Sequence, residues 1–295
     1  MRGELVQVHS SDGIRLDGFL LDEPARPRGS VLVIHGFGAN FYNSSLLRML
    51  SFELAAHGWR ALLANTRGHD SLCYLHTASG PIISGAAVET VSDAASDLAA
   101  WFARLHELTP SLPIYGIGHS LGGIKLLATL AGQATSRCGC HGAIALSPPR
   151  LHHETLLTHR RVKHYERALR DAQRAIEAGD PTRLIHVRFP FPMQVAPTTY
   201  LDKYGPASRY DWVPMLPRIA VPHVIAFGET ELTSENPGFA DAARIAQECP
   251  SLAPRSVPVF ANANHQYEPA RGELFRWIAQ WLESQSLDNS SDDGR

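Results

Sequence analysis

The runs SVLVIH (30–35), WRALLANT (59–66), LPIYGIG (112–118) and HGAIALS (141–147) are short and apolar at nearly every position. A strand that alternates apolar and polar residues covers one face. A strand that is apolar throughout is covered on both, the mark of a parallel sheet sandwiched between helices. Stretches of helical periodicity separate the first three runs. One follows near 45–57, and another near 88–108 carries Val91, Ala94, Ala95, Leu98 and Phe102 on one stripe. Two further runs, VPHVIAFG (221–228) and RSVPVFAN (255–262), come later, and a hairpin is expected at 4–9 and 14–21, turned by SDG. The chain therefore predicts an α/β fold: a mostly parallel, eight-stranded sheet with helices on both faces.

One interval breaks the alternation. Residues 148–214 are Pro-rich at both ends and helical in the middle. They are expected to form a cap over the carboxyl edge of the sheet, where α/β folds bind ligands. Residues 1–147 and 215–286 would be the core, closed by a helix at 268–284. The polar, acidic segment 287–295 is expected to be a disordered tail.

A formal charge of −2 over 295 residues, with no block of one sign, gives no reason to expect nucleic acid or a membrane surface as partner. No run reaches the roughly eighteen apolar residues of a membrane span, and the first twenty residues lack the apolar block of a signal peptide. Cys73, Cys138, Cys140 and Cys249 are scattered rather than arranged as a disulfide framework, so a reducing, cytoplasmic compartment is expected. The CGCH stretch (138–141) could offer three metal ligands. No second Cys/His cluster follows at a familiar spacing, so it reads as a loop, and neither metal nor cofactor is expected.

The chemistry concentrates at GHSLGG (118–123). Ser120 stands in the pattern G-x-S-x-G between a predicted strand and a predicted helix. There a sharp turn lifts a hydroxyl clear of the backbone, and the glycines leave room for the helix to pack. A lone serine is a weak nucleophile and needs a base oriented by a carboxylate. His265 follows the last predicted strand, in NANHQY. The loop after the preceding strand, GETELTSE, offers Glu229, Glu231 and Glu235. An oxyanion needs donors. HGFG (35–38) after the first central strand and the start of the helix after Ser120 nominate the backbone N–H groups of Phe37 and Leu121. His119, Phe189, Phe191 and Tyr200 are candidates for the substrate pocket. His35 is expected to brace the oxyanion loop, Arg67 and Asp70 to make structural hydrogen bonds, and Asp93 and Asp97 to lie on an exposed helix face.

With HGFG, NTRGHD, GHSLGG, GETE and NANHQY in chain order, the sequence resembles the α/β-hydrolase superfamily over nearly its full length. HGFGANFY, NTRGHD and NANHQY are most similar to the siderophore- and feruloyl-esterase-like branch. The resemblance implies a carboxylate three residues after Gly228, which is Glu231, where the family usually has aspartate. It also implies a serine hydrolase acting on a small-molecule ester or thioester, a bulky natural product being one candidate. Thioesterase, acyltransferase or cyclase chemistry, or a non-hydrolytic lyase or binding protein on the same fold, are the alternatives.

Overall fold

The computed structural model describes residues 2–132 and 138–292. β1 (Gly3–His9) and β2 (Arg15–Leu21) form an antiparallel hairpin, and β2 lies antiparallel to β4 (Trp59–Ala64). From β4 onward every neighbour is parallel. β3 (Gly29–Ile34) sits between β4 and β7 (Ile114–His119). Then come β8 (Gly142–Leu146), β11 (His223–Gly228) and, at the edge, β12 (Arg255–Ser256) with β13 (Val259–Phe260). The sheet thus has nine strands but eight positions across. The eighth is cut in two around Pro258, which has no N–H to give to the ladder, although its carbonyl still accepts from Phe227.

The apolar runs are two-faced as expected. β3, β7, β8 and β11 are buried at every residue. Along β3, Leu32 and Ile34 pack towards α2 (Val91–Leu108) and α3 (Leu121–Ala131), while Val31 and Val33 pack towards α1 (Ser45–Ala56) and the closing helix. α2 starts where Thr90 and Asp93 form a capping box. Two hairpins went unseen in the sequence: β5 (Cys73–Thr77) with β6 (Gly80–Ser84), and β9 (Ile185–Val187) with β10 (Met193–Val195). They are short and largely half-buried or exposed, so they carry no continuous apolar run.

Between β8 and β11 the chain leaves the sheet. It forms α4 (His153–Leu157), α5 (Val162–Glu177), the β9–β10 hairpin and α6 (Pro197–Tyr204). These elements share a small apolar core of their own, built on Tyr165, Phe189, Val195 and Tyr200. The chain returns through a 3₁₀ helix at Val213–Arg218 to β11, which runs into the single turn α7 (Glu229–Leu232) and then α8 (Ala242–Glu248). The closing helix α9 spans Arg271–Asp292. It therefore continues through most of the stretch expected to be a disordered tail, since a helix satisfies its own backbone hydrogen bonds. Residues 293–295 of that tail lie outside the described residues. No helix among the described residues is long and apolar enough to cross a membrane.

Candidate active site

Ser120 occupies the link between β7 and α3 with φ 55° and ψ −120°, a conformation rare for a residue with a side chain. The surroundings enforce it. Ser120 N–H donates to Leu146 O at 2.7 Å, across the end of β8. A Cβ on Gly118 would lie 2.3 Å from Gly122 O, and one on Gly122 would lie 2.4 Å from His35 O. Only glycine fits at either position, so the strand, the turn and the helix close around a hydroxyl that makes no hydrogen bond to protein among the described residues.

The three glutamates after β11 have different partners. Glu231, in α7, is 5 % exposed, and its Oε2 accepts the His265 Nδ1–H at 2.8 Å. Its Oε1 accepts from Gly228 N–H at 2.8 Å and from the Ser147 hydroxyl. Three donors on one carboxylate leave it a single orientation. Glu229 instead accepts from Asn262 N–H at 2.8 Å, and Glu235 pairs on the surface with Arg160. Because a carboxylate only accepts, His265 carries its proton on Nδ1 and leaves Nε2 free as an acceptor. Its ring and Ser120 line the same cavity.

Ser147 and Tyr267 escaped the sequence reading. The Tyr267 hydroxyl donates to Ala226 O and lies 3.0 Å from Ser147 Oγ, so a buried chain of hydroxyls stands behind the carboxylate. The one local signal was Ser147's place directly after β8, matching Ser120's place after β7. Its positive φ of 49° is visible only in the fold.

His119, offered as a pocket residue, borders a hollow beside Ser120 and also braces the His265 loop. Its Nε2–H donates to the His265 carbonyl at 2.8 Å, and the two rings lie 4.8 Å apart. Burial pushes its pKa down to about 3, so the ring stays neutral and braces the His265 loop as a donor. His35 is likewise held down to about 3 by burial. As a neutral ring it donates from Nδ1 to Gly36 O at 2.9 Å and accepts the Thr66 N–H on Nε2 at 3.1 Å, fixing the turn that presents Phe37.

The backbone N–H groups of Phe37 and Leu121 donate to no protein acceptor among the described residues. Leu121 opens α3, where an N–H has no intrahelical partner and the helix dipole favours negative charge.

Two hollows meet at Ser120. One, about 670 Å³, is mainly apolar and lined by Leu121, Leu156, Phe189, Phe191, Tyr204 and Phe239, with Arg160 and Glu235 at its rim. The other, about 720 Å³, is more polar and runs past Gly38, Ser45 and Arg271. Phe37, Phe191 and His265 border both, and the Phe37 and Phe191 rings meet edge-on at 5.4 Å. Tyr200 is corrected: it is fully buried in the small core between β8 and β11, and Tyr204, one turn on, reaches the hollow instead.

Asp97 is also corrected. It is fully buried and binds Arg67, accepting its backbone N–H at 2.8 Å and its guanidinium at 2.8 and 3.0 Å. Cys138 and Cys140 are packed in the core, Cys140 Sγ donates to Gly142 O, and His141 accepts the Ile114 N–H. No cluster of three metal-ligating side chains occurs among the described residues.

The model of the alpha/beta hydrolase family matches residues 31–276. Est1E from Butyrivibrio proteoclasticus, solved with bound ferulic acid, superposes with a TM-score of 0.65 at 15% identity, covering 95% of this chain and 99% of that one. A soluble variant of monoglyceride lipase from Saccharomyces cerevisiae, in complex with a substrate analog, gives 0.67 at 16% identity over 97% and 96%. The alpha/beta hydrolase GrgF from Penicillium sp. sh18 gives 0.68 at 15% identity over 97% and 100%. No curated protein matches the chain.

Proposed function

The chain belongs to the alpha/beta hydrolase family, and from that premise we propose that it is a serine hydrolase cleaving a carboxylic ester through an acyl-enzyme. One observation carries the reading: the His265–Glu231 hydrogen bond of 2.8 Å stands beside the elbow serine in a single cavity. Ser120 Oγ attacks the ester carbonyl as its proton passes to His265 Nε2. The carbonyl oxygen becomes an oxyanion held by the N–H groups of Phe37 and Leu121. Glu231 stabilises the imidazolium that forms. The tetrahedral adduct collapses, the C–O bond to the alcohol breaks, and His265 returns the proton to the departing alkoxide. Water then repeats the sequence on the acyl-enzyme, releasing the acid and restoring Ser120.

The aromatic wall of the apolar hollow supports an aryl or bulky apolar group on the substrate, and the ferulic acid in the Est1E structure is a compound of that kind. In this reading residues 148–214 form a cap that sets substrate choice while the chemistry stays on the core. Turnover of a panel of aryl and alkyl esters and matched thioesters tests the proposal. Ester cleavage is expected, favouring the aryl members and abolished in Ser120→Ala, which should keep the wild-type fold. An alanine variant as active as the wild type would end it.

A further inference from the structure

Glu89, just ahead of α2, is buried beneath Gly68, where a Cβ would lie 1.8 Å from its Oε2. Two lysines converge on it. Lys125, on α3 one turn past the elbow, reaches Glu89 Oε2 at 2.6 Å and donates to Thr66 Oγ1 at 2.9 Å. Lys203, on α6, stands 3.5 Å from Glu89 Oε1 and donates to Ala86 O at 2.7 Å. Both lysines are buried. Glu89 already has its counterion in Lys125, so Lys203 is a second, surplus cation.

Burying a charge costs free energy that an apolar side chain of similar length would not. Packing alone therefore does not call for a lysine at 203. Its position offers a reason: Lys203 Nζ lies 5.4 Å from the centre of the Phe37 ring, on the loop assigned to the oxyanion. α6 is fastened to the core beside it, through Ala196 N–H to Ala87 O at 2.8 Å and Val91 N–H to Asp202 Oδ2 at 2.8 Å.

We propose that Lys203 is a positioning residue for the hydrolase reaction: its ammonium, carried by the cap, holds the Phe37 ring and places positive charge behind the oxyanion loop, so that seating the cap and completing the oxyanion site are one event. The inference rests on the serine-hydrolase reading above. The charged groups facing Lys203 are Glu89 ahead of α2, Lys125 on α3 and Asp202 on its own helix, the last bound to Arg209. His35, nearby at the end of β3, is held neutral by burial. Burial pushes Lys203 down to about 8 against the pull of Glu89. The cation is therefore lost in mildly alkaline solution.

The test compares wild type, Lys203→Met, Phe37→Leu and the double variant on an aryl ester between pH 6.5 and 10, with fluorophosphonate labelling of each. Lys203→Met keeps the side chain's length and leaves Glu89 paired with Lys125. At pH 7 its kcat should fall on the order of ten-fold, the scale of a desolvated cation–π contact, with KM within about two-fold. Wild-type kcat should fall as pH rises through about 8, and Lys203→Met should show no such limb. The double variant should be no slower than the slower single variant, because both remove one contact. If Lys203→Met does not fold, the wild-type limb and its weakening in Phe37→Leu decide the matter. A wild-type profile flat to pH 10, an unchanged kcat in Lys203→Met, or losses that multiply in the double variant would overturn the inference. Wild-type protein that neither labels at Ser120 nor cleaves esters would instead overturn the reading beneath it.

Discussion

Glu231 outcompetes its neighbours because its carboxylate is held from three sides, by Gly228 N–H, Ser147 Oγ and His265 Nδ1. Glu231→Gln keeps the size but loses the charge that stabilises the imidazolium. Turnover should drop on the order of 10⁴-fold with KM little changed, by the logic of an orienting carboxylate in a serine protease. Glu229→Gln and Glu235→Gln, each removing one charge from the same loop, should cleave esters normally. A crippled control beside a working Glu231→Gln would move the acid to that residue. Ser120 and His265 were legible in the sequence because turn chemistry is local: glycines at fixed offsets, and a histidine directly after a strand. For the carboxylate the residues alone left three glutamates within seven positions; the resemblance pointed to Glu231, three residues after Gly228, and the fold puts that one against His265. Ser147 is 84 residues from Glu231, and Lys203 is 114 from Glu89, so neither partnership leaves a local trace.

The buried strands announced themselves at the level of elements because full burial forces continuous apolar runs. The hairpins at 73–84 and 185–195 did not, since strands half in water need no such run. The segment between β8 and β11 brings Phe189 and Phe191 to the apolar hollow. Phe189→Ala and Phe191→Ala should shift discrimination between aryl and small alkyl esters by about 1–3 kcal/mol in kcat/KM. Equal loss on all esters would argue that this segment serves the chemistry instead. Tyr200→Phe is the matched change inside the same segment. The Tyr200 hydroxyl is buried without a hydrogen-bond partner among the described residues, so its removal should leave discrimination unaltered and should not lower Tm.

Over the whole molecule, burial of neutral histidines ties stability to pH. His35 and His119 are pushed down to about 3, whereas the unfolded chain protonates both near the ordinary value of 6.5. Between those values the unfolded state binds more protons, so stability is complete above about pH 6.5 and is lost as pH falls through that window. Each ring should cost about 2 kcal/mol between pH 7.5 and 5. Urea melts of His119→Gln, which keeps a donor for the His265 carbonyl, should show one ring's share of that loss removed. An unchanged pH dependence would mean that His119 is protonated in the folded protein. In the proposed reaction the turn between β7 and α3 presents a nucleophile. Its most direct measurement is the site of covalent labelling by a fluorophosphonate, read by peptide mass spectrometry on wild type and on His265→Ala. One adduct is expected, on Ser120, formed orders of magnitude more slowly without His265. An adduct on another residue, or ester cleavage that persists in protein left unlabelled, would contradict it.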